Sequence, residues 1–133
     1  MEGEEARLRG LQEAVQGREE HMRELRERWQ QALENAKVKL DDQFSKYMAN
    51  MNCGGHVVLA KDAMYKNWGL EIQVRFREQT SLQTLNARVH SGGERSVSTI
   101  LFLMALQDLI PSPFRVVDEI NQGMDERNER LVF

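Results

Sequence analysis

Apolar or small residues recur at every seventh position through the first third of the chain: Leu8, Val15, Met22, Trp29 and Ala36. A second row runs three residues on, through Leu11, Arg18, Leu25 and Ala32. Two such rows form the a/d seam of a coiled coil, because 3.5 residues per turn keeps both on one side of a helix. Arg18 interrupts the seam. Beyond Trp29 the spacing changes to Leu33, Leu40, Phe44 and Tyr47, as a stutter requires. Residues 1–50 contain 11 acidic and 9 basic residues and no proline, so the remaining faces are almost wholly charged. An amphipathic helix packed on its own domain is the alternative. The narrowness of the stripe favours a coiled-coil segment over 1–50. Gly3, Gly10 and Gly17 fall on an outer position of the repeat, and each costs roughly 1 kcal/mol relative to alanine, so the first turns are expected to fray.

The helical period ends at Met51-Asn52-Cys53-Gly54-Gly55. His56-Val57-Val58-Leu59-Ala60 reads as a short apolar strand and Asn67-Trp68-Gly69 as a turn. Leu70, Ile72, Val74 and Phe76 alternate with Glu71, Gln73, Arg75 and Arg77, the pattern of an antiparallel strand solvated on one face. Residues 79–90 read as polar loop. Helical period returns over 94–109, with Val97, Ile100, Leu101, Met104 and Ala105 on one face, and Pro111 and Pro113 end it. Phe114-Arg115-Val116-Val117 reads as a short buried strand that delivers Asp118-Glu119 at its end. Asn121-Gln122-Gly123-Met124-Asp125 follows as a turn.

The lone cysteine, Cys53, excludes a disulfide-stapled fold and reads as an inert thiol. No apolar run approaches the ~18 residues of a membrane span, and the acidic opening Met1-Glu2-Gly3-Glu4-Glu5 is not that of a signal peptide. The expectation is a soluble intracellular chain without a membrane partner. Its net charge of −3 gives no global argument for nucleic-acid binding. Arg75 and Arg77, with Lys61 and Lys66 near them in sequence, form a local basic group that is either a solvated face or a DNA contact.

Two segments could carry chemistry. Ser91-Gly92-Gly93-Glu94-Arg95 opens the second helix; its glycines let a ligand approach the backbone, and the first N–H groups favour an anion. The same residues also spell an ordinary capping box, Ser91 with Glu94 three positions on. Asp118 and Glu119, at the end of an apolar run, could serve Mg²⁺ and a water; they could equally be an acidic strand exit. Their order is more specific than either alone. A Ser-Gly-Gly helix start, an amphipathic helix, a short apolar run ending Asp-Glu and an acidic loop match the signature motif, Walker B strand and D-loop of ABC-type ATPase heads.

On these residues the chain resembles a structural maintenance of chromosomes (SMC) ATPase. The stretches 91–99 and 113–125 carry the resemblance, and the Asn121–Asp125 loop is similar to the branch that works in the SMC 5/6 DNA-repair complex. The resemblance implies an α/β (α+β) fold. A coiled-coil segment, 1–50, precedes the C-terminal lobe of an ABC-type head, 51–133, which is incomplete without its N-terminal lobe. It implies that Ser91, Gly92, Gly93, Glu94 and Arg95 contact ATP held on the partner head. It also implies that Asp118 serves Mg²⁺ through water, that Glu119 is catalytic and activates the attacking water, and that Gly123, Met124 and Asp125 form the D-loop. The implied cofactors, ATP and Mg²⁺, belong to a complete, engaged head.

The implied partners are the N-terminal half-head of the same protein, SMC protein 6 as heterodimer partner, other SMC 5/6 subunits, and DNA through the assembled complex. The implied location is nuclear chromatin. No glycine is followed by lysine, so GxxxxGK[ST] is absent, and the chain stops short of the switch-histidine region. The alternatives are a non-catalytic coiled-coil fragment that docks on another SMC head, or another coiled-coil ABC repair ATPase.

Overall fold

The computed structural model describes residues 2–114 together with 116, 118, 124, 126, 129 and 130. Its elements are α1 (Glu2–Asn50), β1 (Gly54–Ala60), a 3₁₀ turn (Tyr65–Asn67), β2 (Gly69–Arg75), β3 (Gln83–Thr84) and α2 (Gly92–Asp108). The chain divides into two compact units, Met1–Asn35 and Ala36–Phe133.

The first unit is helical throughout its described residues, and Leu8, Leu11, Val15, Met22, Leu25 and Trp29 are all exposed along it. A helix packed on its own domain would have covered this seam. α1 begins at Glu2 and includes all three early glycines.

In the second unit the continuation of α1 is buried every fourth residue, at Leu40, Phe44 and Met48, as a helix stripe facing a core requires. Met48 replaces Tyr47 as the last buried position of the stutter. Tyr47 is only half-buried, and its hydroxyl donates to Asp108 at the end of α2.

α1 ends at Asn50, just before the expected break at Met51–Gly55, and Asn52 makes the turn. Asn52 has φ 58°, a left-handed conformation that asparagine tolerates. The Asn52 N–H donates to the Ala49 carbonyl and the Cys53 N–H to the Met48 carbonyl, each at 2.9 Å, which is a Schellman stop. The glycines serve a different need. A Cβ on Gly55 would overlap Met48 Cγ and lie 2.8 Å from Phe44 Cε1, so glycine allows β1 to lie against α1.

The sheet is antiparallel with order β1-β2-β3, and Gly55 pairs with Val74 and Val57 with Ile72. The fold is therefore of the α+β kind. Val57 and Val74 join Leu40, Phe44 and Met48 from α1 and Val97, Leu101 and Ala105 from α2 in one core. The Phe44 and Phe102 rings meet edge to face at 6.2 Å.

Two readings of the sequence are corrected. The segment 79–90 is not all loop, since β3 pairs Gln73 with Thr84 and Val74 with Gln83. Two residues are too few for alternation to show. The run 114–117 is not a buried strand among the described residues: Phe114 is 75% exposed and Val116 85%. Arg115 and Val117 of this run lie outside the described residues.

Candidate functional site

The start of α2 is built by local hydrogen bonds. Ser91 is the N-cap; its Oγ accepts the Glu94 N–H at 3.1 Å, and the Ser91 N–H donates to Glu94 Oε2 at 2.8 Å. The expected capping box is present. It does not exclude a ligand, because a hydroxyl that accepts one bond still holds a proton to donate. Gly92 is exposed, and a Cβ there would meet nothing within 4 Å, so its backbone is open to approach. Ser91 and Arg95 are exposed, while Gly93 and Glu94 are half-buried. One turn further in, Ser98 is fully buried and its Oγ donates to the Glu94 carbonyl, fixing the first turn on the core. The first N–H groups of a helix have no intrahelical acceptor and carry the positive end of its dipole. An exposed serine and glycine in front of them fit an anionic oxygen.

Of the other residues singled out in the sequence, Asp118 is exposed and Met124 is half-buried, packed against the core. Glu119, Gly123 and Asp125 lie outside the described residues. Among the described residues no group of three or more His, Cys, Asp or Glu could hold a metal ion, and no helix is long and apolar enough to cross a membrane.

Next to the helix start lies a cleft that sequence reading did not assemble. Arg75 and Phe76 come from the end of β2 and just beyond, Arg77, Thr80 and Ser81 from the loop that follows, Gln83 from β3, and His90 and Glu94 from around the start of α2. The Arg75 guanidinium lies across Gly54 of the neighbouring strand, where a Cβ would come within 3.3 Å of its Nε. Burial, together with the Glu94 carboxylate, pushes the Cys53 thiol up despite the Arg75 charge, which leaves it inert at neutral pH.

A polar clamp that sequence reading missed joins α1 to β1. Asp41 Oδ1 accepts the Val57 N–H at 2.8 Å and lies 3.1 Å from His56 Nδ1, while Ser45 Oγ donates to the Gly55 carbonyl at 2.7 Å. The only available signal was the i, i+4 spacing of Asp41 and Ser45 on one helix face. Burial would raise the Asp41 pKa. The Val57 N–H, the His56 ring and the Lys37 charge outweigh it and hold the carboxyl below its usual value near 3.8. A depressed folded value means stability that is present above the unfolded value and lost as pH falls through the folded one. Asp41→Asn is therefore expected to lower the denaturation midpoint of the chain at pH 6, with the gap to wild type closing below about pH 4. Urea titrations of both proteins across pH 3–6 measure it; a gap independent of pH refutes the charge's role.

No protein-family model matches the chain. It is 45% identical over 128 residues to structural maintenance of chromosomes protein 5 of Schizosaccharomyces pombe, covering 96% of this chain and 12% of that protein. To the protein of the same name from Arabidopsis thaliana it is 48% identical over 110 residues, 82% of this chain and 10% of that one. The chain thus spans about a tenth of the length of the curated relatives it matches. Among solved structures, one from a study of ATP-driven dimerization and DNA-stimulated activation of SMC ATPases superposes with a TM-score of 0.63 at 21% identity, covering 77% of this chain and 61% of that one. An SMC head bound to the C-terminal winged-helix domain of ScpA superposes with a TM-score of 0.63 at 23% identity, covering 77% and 32%.

The fold is that of part of an SMC-type head with a segment of coiled coil. The chain belongs to the structural maintenance of chromosomes family.

Proposed function

We propose that this chain is the C-terminal half-head of an SMC-type ATPase of the SMC 5/6 complex, with residues 1–50 as its coiled-coil segment and 51–133 as the half-head. In this reading it supplies the signature motif, Walker B residues and D-loop for ATP-driven head engagement in DNA repair and chromosome maintenance on nuclear chromatin. The observation that carries it is the capped but open start of α2, with Ser91 and Gly92 exposed in front of unpaired N–H groups. The identities to protein 5 relatives support the branch.

Bound Mg-ATP supplies the phosphoanhydride that is cleaved. Ser91 and the Gly92 and Gly93 backbone N–H groups bind its terminal phosphate from the opposite head, with Glu94 holding Ser91 in place and Arg95 at the rim. Asp118 holds Mg²⁺ through water, the usual mode for this ion. Glu119 takes the proton of the attacking water. Gly123, Met124 and Asp125 line the contact between heads. The P-loop comes from the N-terminal half-head of the same protein, since this chain has no glycine-lysine pair. The opposite head belongs to SMC protein 6, other SMC 5/6 subunits complete the complex, and DNA is bound by the whole assembly.

Ser91→Arg, in a full-length protein reconstituted with its partner, tests the reading. It places a bulky cation where the phosphate approaches. Engagement is expected to weaken about 10- to 100-fold, the loss of one charge-assisted hydrogen bond of about 1.5–3 kcal/mol. Nucleotide binding by the same protein's own head is expected to stay unchanged. If own-head binding fell equally, Ser91 would be a helix cap only.

A further inference from the structure

The cleft beside α2 carries two cations that the proposed function does not use. Among the described residues, neither the Arg75 nor the Arg77 guanidinium forms an ion pair. Among the described residues the only carboxylate lining the cleft is that of Glu94, and one of its oxygens already accepts the Ser91 N–H. The other lining groups include the polar side chains of Thr80, Ser81, Gln83 and His90 and the apolar ones of Val74, Phe76 and Val89.

Several features hold these groups in place. The Thr80 N–H and hydroxyl both donate to the Arg77 carbonyl, at 3.1 and 2.9 Å, closing the turn that carries Arg77. His90 Nδ1 accepts the Asn86 N–H at 3.4 Å, so in the neutral ring Nε2 bears the proton and is a donor. The His90 and Phe76 rings meet edge to face at 6.2 Å.

The accessible volume is about 80 Å³. A single water needs about 10–15 Å³ on this measure, so the cleft has room for a tetrahedral oxyanion with its waters, though not for a nucleoside. Guanidinium forks match phosphate oxygens in pairs, and hydroxyl and amide donors complete such a shell.

We propose that this cleft is an oxyanion site that takes one phosphate group of a polyphosphate or of a nucleic-acid backbone. Arg75 and Arg77 supply the charge. Ser81, Gln83 and His90 supply further donors. The site adjoins the contact proposed for Ser91–Gly93 and shares Glu94 with it, but its cations come from β2 and the loop that follows, whereas that contact acts on a nucleotide held by a second head.

The test is a titration of the full 133-residue chain by amide and guanidinium NMR, at one low ionic strength because screening weakens exposed contacts. The probes are inorganic tripolyphosphate and a short DNA duplex. Saturable shifts centred on Arg75, Arg77, Gln83 and His90 are expected, with tripolyphosphate binding in the millimolar range. Arg77→Gln is expected to weaken binding about fivefold or more, and Arg77→Lys to restore part of it. Arg75→Lys is the second variant, keeping charge while losing the fork. Arg23→Gln with Arg26→Gln, on α1, is the control and leaves the affinity unchanged.

Binding of both probes identifies a nucleic-acid backbone as a source of the phosphate. Binding of tripolyphosphate alone identifies a nucleotide or free polyphosphate. No saturable shift in the cleft, or an equal loss in the α1 control, overturns the site. None of these outcomes depends on a second head, so this site and the Ser91 contact can fail independently.

Discussion

Glu119→Gln, in a full-length protein assembled with its partner, is expected to slow ATP hydrolysis by about 10²–10⁴ while ATP-dependent engagement persists. The amide keeps the size and much of the hydrogen bonding of the carboxylate, so a nucleotide and its water can still be held. It cannot take the water's proton, and that loss corresponds to roughly 3–5 kcal/mol of barrier. Asp118→Asn is expected to differ, weakening the metal site and with it engagement. Single-turnover hydrolysis and engagement assays on both variants read the division of labour. Hydrolysis at the wild-type rate by Glu119→Gln would remove the catalytic role and leave Asp118-Glu119 as an acidic exit from an apolar run.

Phe44→Ala is expected to destabilise the chain by about 3–5 kcal/mol, since deleting a buried aromatic ring leaves a cavity that its surroundings fill only in part. Phe44 has no exposed surface, lies against the Phe102 ring and is close enough to β1 that Gly55 must remain without a Cβ. The cavity would open between α1, the sheet and α2, where little else can move in. Urea denaturation of the 133-residue chain measures it. Trp29→Ala is the comparison: that ring is 45% exposed, and its loss is expected to cost well under the Phe44 value. Equal effects would mean that the shared core does not carry the stability of this unit.

Much of the architecture was legible because periodicity reports which side of an element is covered. The sevenfold row through Leu8 and Trp29 marked a helix, and the alternation from Leu70 to Phe76 marked a strand with one solvated face. Ser91 and Glu94 at a spacing of three marked the α2 cap, because a capping box is local chemistry and needs no distant partner. The order of the Ser-Gly-Gly and Asp-Glu segments was likewise readable without coordinates.

Other features depend on residues far apart in the chain. The segment Met51–Gly55 was legible as the end of α1, but composition shows which residues permit a turn and not that Asn52 makes it. Only the packing of α1 against β1 reveals that Gly55 is small for the sake of Met48 and Phe44. The run from Phe114 to Val117 has the composition of a buried strand, but its described residues, Phe114 and Val116, are exposed, and composition does not show what covers a segment.

By itself, then, the sequence determined the local decisions: where the two helices and the two longer strands run, how α2 is capped, and in what order the phosphate-directed and acidic segments follow, since each depends on neighbours within a few positions. Tertiary structure alone decided the convergences. Asp41 and Ser45 meet the edge of β1 only when α1 lies along it, and Tyr47 reaches Asp108 only when the two helices share a core. Arg75, Arg77 and His90 line one cleft only because the chain turns back between β2 and α2. The spacing of residues along a chain specifies its periodicity, whereas distances between remote side chains are set by the core that brings their elements together.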